Sequence, residues 1–260
     1  MRSYTDLKND NGLKLELHLP ENGSFPLFVY FHGGGLVSGG VTSCRNFAET
    51  LAKRGIGVLG VQYHLYPKEG CADVRFPMYI DDCAAAVSWA FQHIAEYGEC
   101  NGIYAGGSSA GGYISMMLCF DKSFLAKYGI KPTDLAGFIH DAGQPTAHFN
   151  VISKERGIDY RRVIVDETAP LYHIGTDPIY PPMIFFVSDH DMENRLEQTQ
   201  LVISTLRHFG HTEKNGIHYK LLPGTHNQTF KEWDENGDCL LGLHIYDFIA
   251  KIQAERTAGA

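Results

Sequence analysis

The sequence predicts an α/β domain, a mostly parallel central sheet with helices on both faces. Three observations carry this. Short apolar runs and longer helix-like stretches alternate almost throughout the chain, as strand–helix units do. The strongest runs, Leu27-Phe-Val-Tyr-Phe31 and Met183-Ile-Phe-Phe-Val187, are apolar at every position, which suits strands covered on both faces. At 260 residues and 44% hydrophobic content the chain can build one large core, so 1–260 is read as a single domain.

The elements follow in order. Residues 13–19 alternate strictly and predict a half-exposed strand near a sheet edge. Residues 27–31 form a central strand, 47–54 a helix, and 56–61 a buried strand broken by Gly57 and Gly60. Residues 79–93 have helical composition and spacing. A short strand at 103–105 runs into Gly106-Gly-Ser-Ser-Ala-Gly-Gly112, and 113–120 reads as a buried helix. Residues 135–140 and 183–187 are strands. Residues 196–209 form an amphipathic helix stopped by Gly210 at its C′ position. A strand at 218–222 and a helix at 240–252 close the pattern. Two segments break the rhythm. Residues 71–77 are a loop. Residues 144–182 are long and poorly periodic, and an insertion after a central strand is expected to form a cap or lid.

Composition excludes several classes. The formal charge is −8 and no Lys/Arg cluster offsets it, which argues against nucleic acid or an anionic membrane as partner. No apolar run reaches the roughly 18 residues that span a bilayer. The N-terminus lacks the apolar core of a signal peptide. The six cysteines, at 44, 71, 83, 100, 119 and 239, include no C-x-x-C pair and read as reduced thiols, so a cytoplasmic location is expected. No metal-ligand spacing appears among the 13 histidines, and neither a metal nor an organic cofactor is expected.

The glycine-rich stretch at 106–112 decides the chemistry. A phosphate loop would need a Lys after the glycines, and a dinucleotide turn a G-x-G-x-x-G spacing; both fail, and Gly33-x-Gly35-x-x-Ser38 fails at its last position. G-x-S-x-G fits in one frame, Gly107-Ser-Ser109-Ala-Gly111. Between a strand and a helix this is a nucleophile elbow: a cramped turn with small neighbours that lifts the hydroxyl of Ser109 out of the sheet. Ser108 becomes a small spacer beneath it. By chance the motif is expected ~0.1 times in this composition and His32-Gly-Gly-Gly35 ~0.02 times, so the second carries more weight. It directly follows a core strand, where exposed N–H groups of Gly34 and Gly35, with that of Ala110, can cradle an oxyanion.

A serine needs a base, and the base an orienting acid. After strand 218–222 comes Pro223-Gly-Thr-His226, and His226 is the base candidate; His218 would lie inside that strand, and His208 and His211 belong to a helix end, solvated or capping. After strand 183–187 comes Ser188-Asp-His-Asp191. Asp191 is favoured over Asp189, because the extra turn of loop lets the carboxylate curl back under the imidazole while Asp189 caps 192–195. Asp141 is a third candidate.

With these parts in this order the chain resembles the α/β-hydrolases, and more narrowly the hormone-sensitive-lipase-like esterases and related acetyl- and feruloyl-type carbohydrate esterases. The matching stretches are His32–Gly35 before Leu36-Val-Ser-Gly39, Val61-Gln-Tyr-His-Leu-Tyr-Pro67, Asp82, Gly107-x-Ser109-x-Gly111 and Pro223-Gly-x-x-His226, within about 13–252. The resemblance implies a triad of Ser109, Asp191 and His226, an oxyanion hole of Gly34, Gly35 and Ala110, and a small-molecule ester as partner. His64 and Tyr66 stand where the family has Arg and Ala, so a structural ion pair is expected to be missing, and Ser188 replaces a glycine before the acid. No room for the family's helical cap lies ahead of Leu13, which shifts the expected substrate to acetyl or aroyl esters, including those of sugars. His140, Phe149, Tyr160 and Tyr172 are candidate pocket residues. An acyltransferase, a serine peptidase and a non-catalytic receptor are the alternatives, and homo-oligomer formation is left open.

Overall fold

The computed structural model describes residues 1–67, 73–175, 177 and 179–258. Among these, eight strands form one sheet: β1 (Arg2–Lys8), β2 (Lys14–Leu19), β3 (Phe25–Phe31), β4 (Gly57–Val61), β5 (Cys100–Ser108), β6 (Gly137–Asp141), β7 (Met183–His190) and β8 (Ile217–Thr225). The spatial order is β1-β2-β4-β3-β5-β6-β7-β8. β2 runs antiparallel to β1 and β4; the other neighbours are parallel. The helices are α1 (Arg45–Ala52), α2 (Met78–His93), α3 (Ala110–Phe120), the single turn α4 (Ser123–Ala126), α5 (Arg195–His208) and α6 (Leu240–Ala258).

Strand β3 shows how the layers form. Leu27, Val29 and Phe31 face α2 and α3 and share a core cluster with Val87 and Met117 of those helices. Phe28 and Tyr30 point to the other face and pack with Phe47 and Leu51 of α1 and Ile245, Phe248 and Ile249 of α6. Both faces of the strand are therefore buried, as its unbroken apolar sequence requires. Each such side chain contributes about 1.5–3 kcal/mol of transfer free energy. Residues 144–182 hold a π-helical turn (Val151–Glu155) and a 3-10 turn (Pro170–His173).

Three expectations need correction. Strand β2 does lie near the sheet edge, with β1 alone outside it, but it is buried and not half-exposed. β1 escaped detection because a bulge between Tyr4 and Leu7 breaks its alternation. Glu16 and His18 of β2 are buried in a side-chain cluster: Arg45 donates from Nε and Nη2 to Glu16 at 2.5 and 3.0 Å, and His18 Nε2 lies 2.7 Å from Glu16. Glu16, His18 and Cys44 bring potential metal-ligand atoms within 4.8 Å of one another. Arg45 already balances the Glu16 charge, and burial pushes the Cys44 thiol up to about 12, which disfavours a thiolate ligand. The missing family ion pair is also replaced: Asp82 Oδ2 accepts from the His64 backbone N–H at 2.9 Å and lies 2.8 Å from its Nδ1. Finally, His211 is neither solvated nor capping. It is buried, with Nε2 3.0 Å from the Asp177 carbonyl and its ring edge-on to Tyr180.

Strands β5 and β7 run further than their apolar cores suggest. Gly106 and Gly107 have little intrinsic strand preference, but pairing with Tyr30 and Phe31 extends the ladder through them. The five described cysteines are free thiols; Cys71 and Ala72, the first two residues of the 71–77 loop, lie outside the described residues. Among the described residues no helix is long and apolar enough to cross a membrane. Parallel strands β5 to β8 deliver the segments after Ser108, Asp141, His190 and Thr225 to one edge of the sheet, where open α/β sheets bind ligands.

Candidate active site

At that edge Ser109 joins β5 to α3 with φ 55° and ψ −111°, a conformation a non-glycine residue adopts only under constraint. The constraint is steric and hydrogen-bonded. A Cβ on Gly111 would stand 1.9 Å from the Phe31 carbonyl oxygen, and one on Gly107 2.4 Å from the same atom. The end of β3 thus presses directly on the turn, and only glycine fits on either side of it. The Ser109 N–H donates to the Asp141 carbonyl at 2.8 Å, and the Ser109 carbonyl accepts from Tyr113 at 3.0 Å.

The loop after β3 faces this turn. Gly33, Gly34 and Gly35 line the same cavity as Ser109, with a volume of about 420 Å³. Gly34 and Gly35 have φ of 113° and 62°. The backbone N–H groups of all three glycines donate to no protein acceptor among the described residues. Ala110 is the first residue of α3, where the N–H has no intrahelical acceptor. Asn150 donates to the Gly35 carbonyl and ties the loop to the 144–182 segment. His32 is buried and stacked on Tyr63 at 4.2 Å; burial lowers its pKa to about 4, so it is a neutral support for the loop.

The expected acid and base arrive from β7 and β8. His226 Nε2 lies 2.9 Å from Ser109 Oγ, and its Nδ1 2.6 Å from Asp191 Oδ1. With Nδ1 donating to the carboxylate, Nε2 is left to accept from the serine hydroxyl. Asp191 also accepts from the N–H groups of Ser188 and Met192 at 3.2 and 2.7 Å. Burial pushes its pKa up, but the hydrogen bond and charge of His226 outweigh it and the net shift is downward, so the carboxylate stays ionised. Asp189 does something else. It accepts from the Gly224 N–H at 2.8 Å and lies 2.8 Å from His190 Nδ1, pinning the β8 loop rather than capping 192–195.

Asp141 touches neither His226 nor Ser109 through its side chain. It accepts from Asn227 Nδ2 at 3.0 Å, so it holds the residue that follows the base. Burial raises its pKa to about 6, against the opposing pull of the Ser108 hydroxyl and His226. Of the candidate pocket residues, Phe149 lines the Ser109 cavity with Met192, Asn227, Phe230 and Lys231. Tyr160 lines a neighbouring cavity. His140 is buried in the core with Nδ1 2.8 Å from Ser115 Oγ, and Tyr172 lies exposed outside both cavities. Asn227, Met192 and Phe230 carried no sequence signal beyond their nearness to His226 and Asp191.

Comparison with known proteins fits this construction. A family model described as the alpha/beta hydrolase fold matches residues 28–135, which include the glycine loop, Asp82 and the elbow. A truncated carbohydrate esterase from gut microbiota superposes with a TM-score of 0.74 at 15% identity, over 98% of this chain and 97% of that one. The chain has the α/β-hydrolase fold. Two curated relatives match part of the chain. Chloroplastic tuliposide A-converting enzyme 2 of Tulipa gesneriana is 31% identical over 121 residues, 40% of this chain and 30% of that protein. The carboxylic ester hydrolase LipN of Mycobacterium tuberculosis is 34% identical over 117 residues, 43% of this chain and 29% of that protein. The match thus spans about a third of the length of these relatives. The family-model match ends before β6, so it does not reach Asp191 or His226.

Proposed function

We propose that the protein is a serine carboxylesterase that hydrolyses short-chain acyl esters, acetyl or aroyl, including esters on a carbohydrate. One observation carries the reading: the Ser109–His226–Asp191 chain, at 2.9 and 2.6 Å, opens on a cavity walled by glycine N–H groups without acceptors. His226 Nε2 takes the Ser109 proton as Oγ attacks the ester carbonyl. The oxyanion of the tetrahedral intermediate is held by the N–H groups of Gly34, Gly35 and Ala110, each such donor being worth about 10²–10³ in rate. His226 returns the proton to the departing alkoxide, leaving an acyl-Ser109 ester. Water, deprotonated by the same imidazole, then attacks the acyl carbon and releases the acid and Ser109. Asp191 holds the imidazole tautomer and stabilises the imidazolium. The modest cavity of about 420 Å³ supports small acyl groups, and the names of the ester hydrolase and carbohydrate esterase neighbours point the same way.

The test is burst release of p-nitrophenol from its acetate. Ser109→Ala is expected to lower kcat by about 10⁴–10⁶. Undiminished turnover in that variant would remove the assignment.

A further inference from the structure

We propose that the cavity beside the catalytic one is an anion-binding subsite, so that the ester this protein hydrolyses carries a carboxylate at some distance from the scissile bond. The substrate statement rests on the esterase reading; the anion site stands on its own geometry. The second cavity, of about 250 Å³, shares Phe149 and Met192 with the Ser109 cavity. A molecule attached to Ser109 therefore needs only to pass this common wall to enter it.

The walls of the second cavity are cationic. Arg195, at the start of α5, is 5% exposed and lines the cavity. One of its five N–H groups is accounted for: Nη1 donates to the Ala142 carbonyl. Among the described residues no carboxylate lies within 4 Å of its guanidinium, although Asp191 acts on it from further away. A buried guanidinium without an ion partner is unfavourable unless something else meets its charge. Burial accordingly lowers its pKa, to about 10, yet it stays charged at neutral pH. Arg162, exposed at the rim, likewise has no carboxylate within 4 Å among the described residues. Arg161 beside it is already neutralised, bonding Asp159 through Nε and Nη2. Against the two unpaired guanidinium groups the lining offers one carboxylate, the exposed Glu193. Guanidinium groups bind planar oxyanions through paired N–H donors. The Tyr160 ring at the rim adds an apolar face and a hydroxyl to the same opening. A ligand that meets these groups has a compact carboxylate, or an oxyanion of similar size, joined to the ester through a short arm.

Binding is measured by calorimetry on Ser109→Ala, in which the ester stays intact. One arm compares monomethyl glutarate with methyl valerate, which differ by carboxylate against methyl on the acyl side. The other compares 4-acetoxybenzoate with 4-methylphenyl acetate and places the carboxylate on the alcohol side. In at least one arm the anionic ester is expected to bind roughly tenfold tighter or more. The advantage should shrink between about 50 mM and about 0.5 M salt, and Arg162→Gln and Arg195→Gln should each reduce it severalfold. The responding arm shows which side of the ester enters the cavity. If Arg195→Gln does not fold, the rim variant carries the test. Equal binding of anionic and neutral esters in both arms overturns the subsite, as does a preference that survives both arginine variants. The wild-type protein separates the two readings. Hydrolysis of neutral esters without anion preference removes the subsite and leaves the esterase; anion preference without hydrolysis of any ester does the reverse.

Discussion

The loops after β5 and β7 both deliver a residue to the Ser109–His226–Asp191 chain, yet they are built on opposite principles. The β5 loop is fixed by sterics over five residues: Gly107 and Gly111 leave no room for a Cβ against the Phe31 carbonyl, and Ser109 is held at positive φ between them. The β7 loop is fixed by side chains that reach across the molecule. Asp191 and Asp189 are two residues apart, yet one meets His226 and the other the Gly224 N–H, 35 positions along the chain in each case. A short-range steric device tolerates almost no change of residue type. A long-range hydrogen-bonded one sorts identical residues into different tasks.

The largest effect that would break this comparison lies in the two aspartates. Asp191→Asn is expected to lower ester turnover by about 10⁴, because the amide cannot hold the required imidazole tautomer. Asp189→Asn removes an exposed charge from the loop and is expected to cost less than about tenfold. Steady-state rates of the two variants measured in parallel decide it, and a larger loss in Asp189→Asn would reverse their roles.

The steric half is tested by stability. Gly111→Ala places a Cβ on the β3 backbone and is expected to cost about 3 kcal/mol or more. Gly175→Ala, at a position with open space around it, should stay within about 0.5 kcal/mol. Urea unfolding midpoints of the pair measure this, and equal midpoints would show that the elbow yields instead of clashing.

A smaller effect sharpens the contrast by locating strain between the two loops. Asp141 is buried beside Ser108 and Asn227, and feels the charges of His226 and Asp191 from further off. Its carboxyl is raised from the ordinary 3.8 to about 6 in the folded state. Below about pH 4 it is protonated in both states and costs nothing; as pH rises through 6 the folded protein must hold a buried carboxylate, and stability is lost. Asp141→Asn should therefore gain stability relative to the parent as pH rises from about 4 to about 7, by up to about 3 kcal/mol. Denaturant titrations at both ends of that window measure it, and a pH-independent difference would show that Asp141 ionises freely.

The sequence by itself determined the parallel sheet, the elbow frame and the glycine loop. Each is encoded locally, by unbroken apolar runs and by glycines whose absent Cβ is a statement about one backbone position. It also offered a base, because His226 follows a Pro-Gly turn at the end of a strand, and by loop length it preferred Asp191 to Asp189; in the fold it is Asp191 that lies 2.6 Å from the His226 ring. What it left out depends on contacts between distant segments. The edge strand β1 carries its pairing in a partner, not in its own alternation. Glu16 and His18 look solvent-facing until Arg45 covers them. His64 takes a role that the family pattern assigns to arginine because Asp82 lies within reach of both its backbone and its ring. The cavity beside that of Ser109 is the clearest case: Tyr160, Arg162 and Arg195 lie in an aperiodic insertion and at a helix start, and only the folded chain sets them around one space.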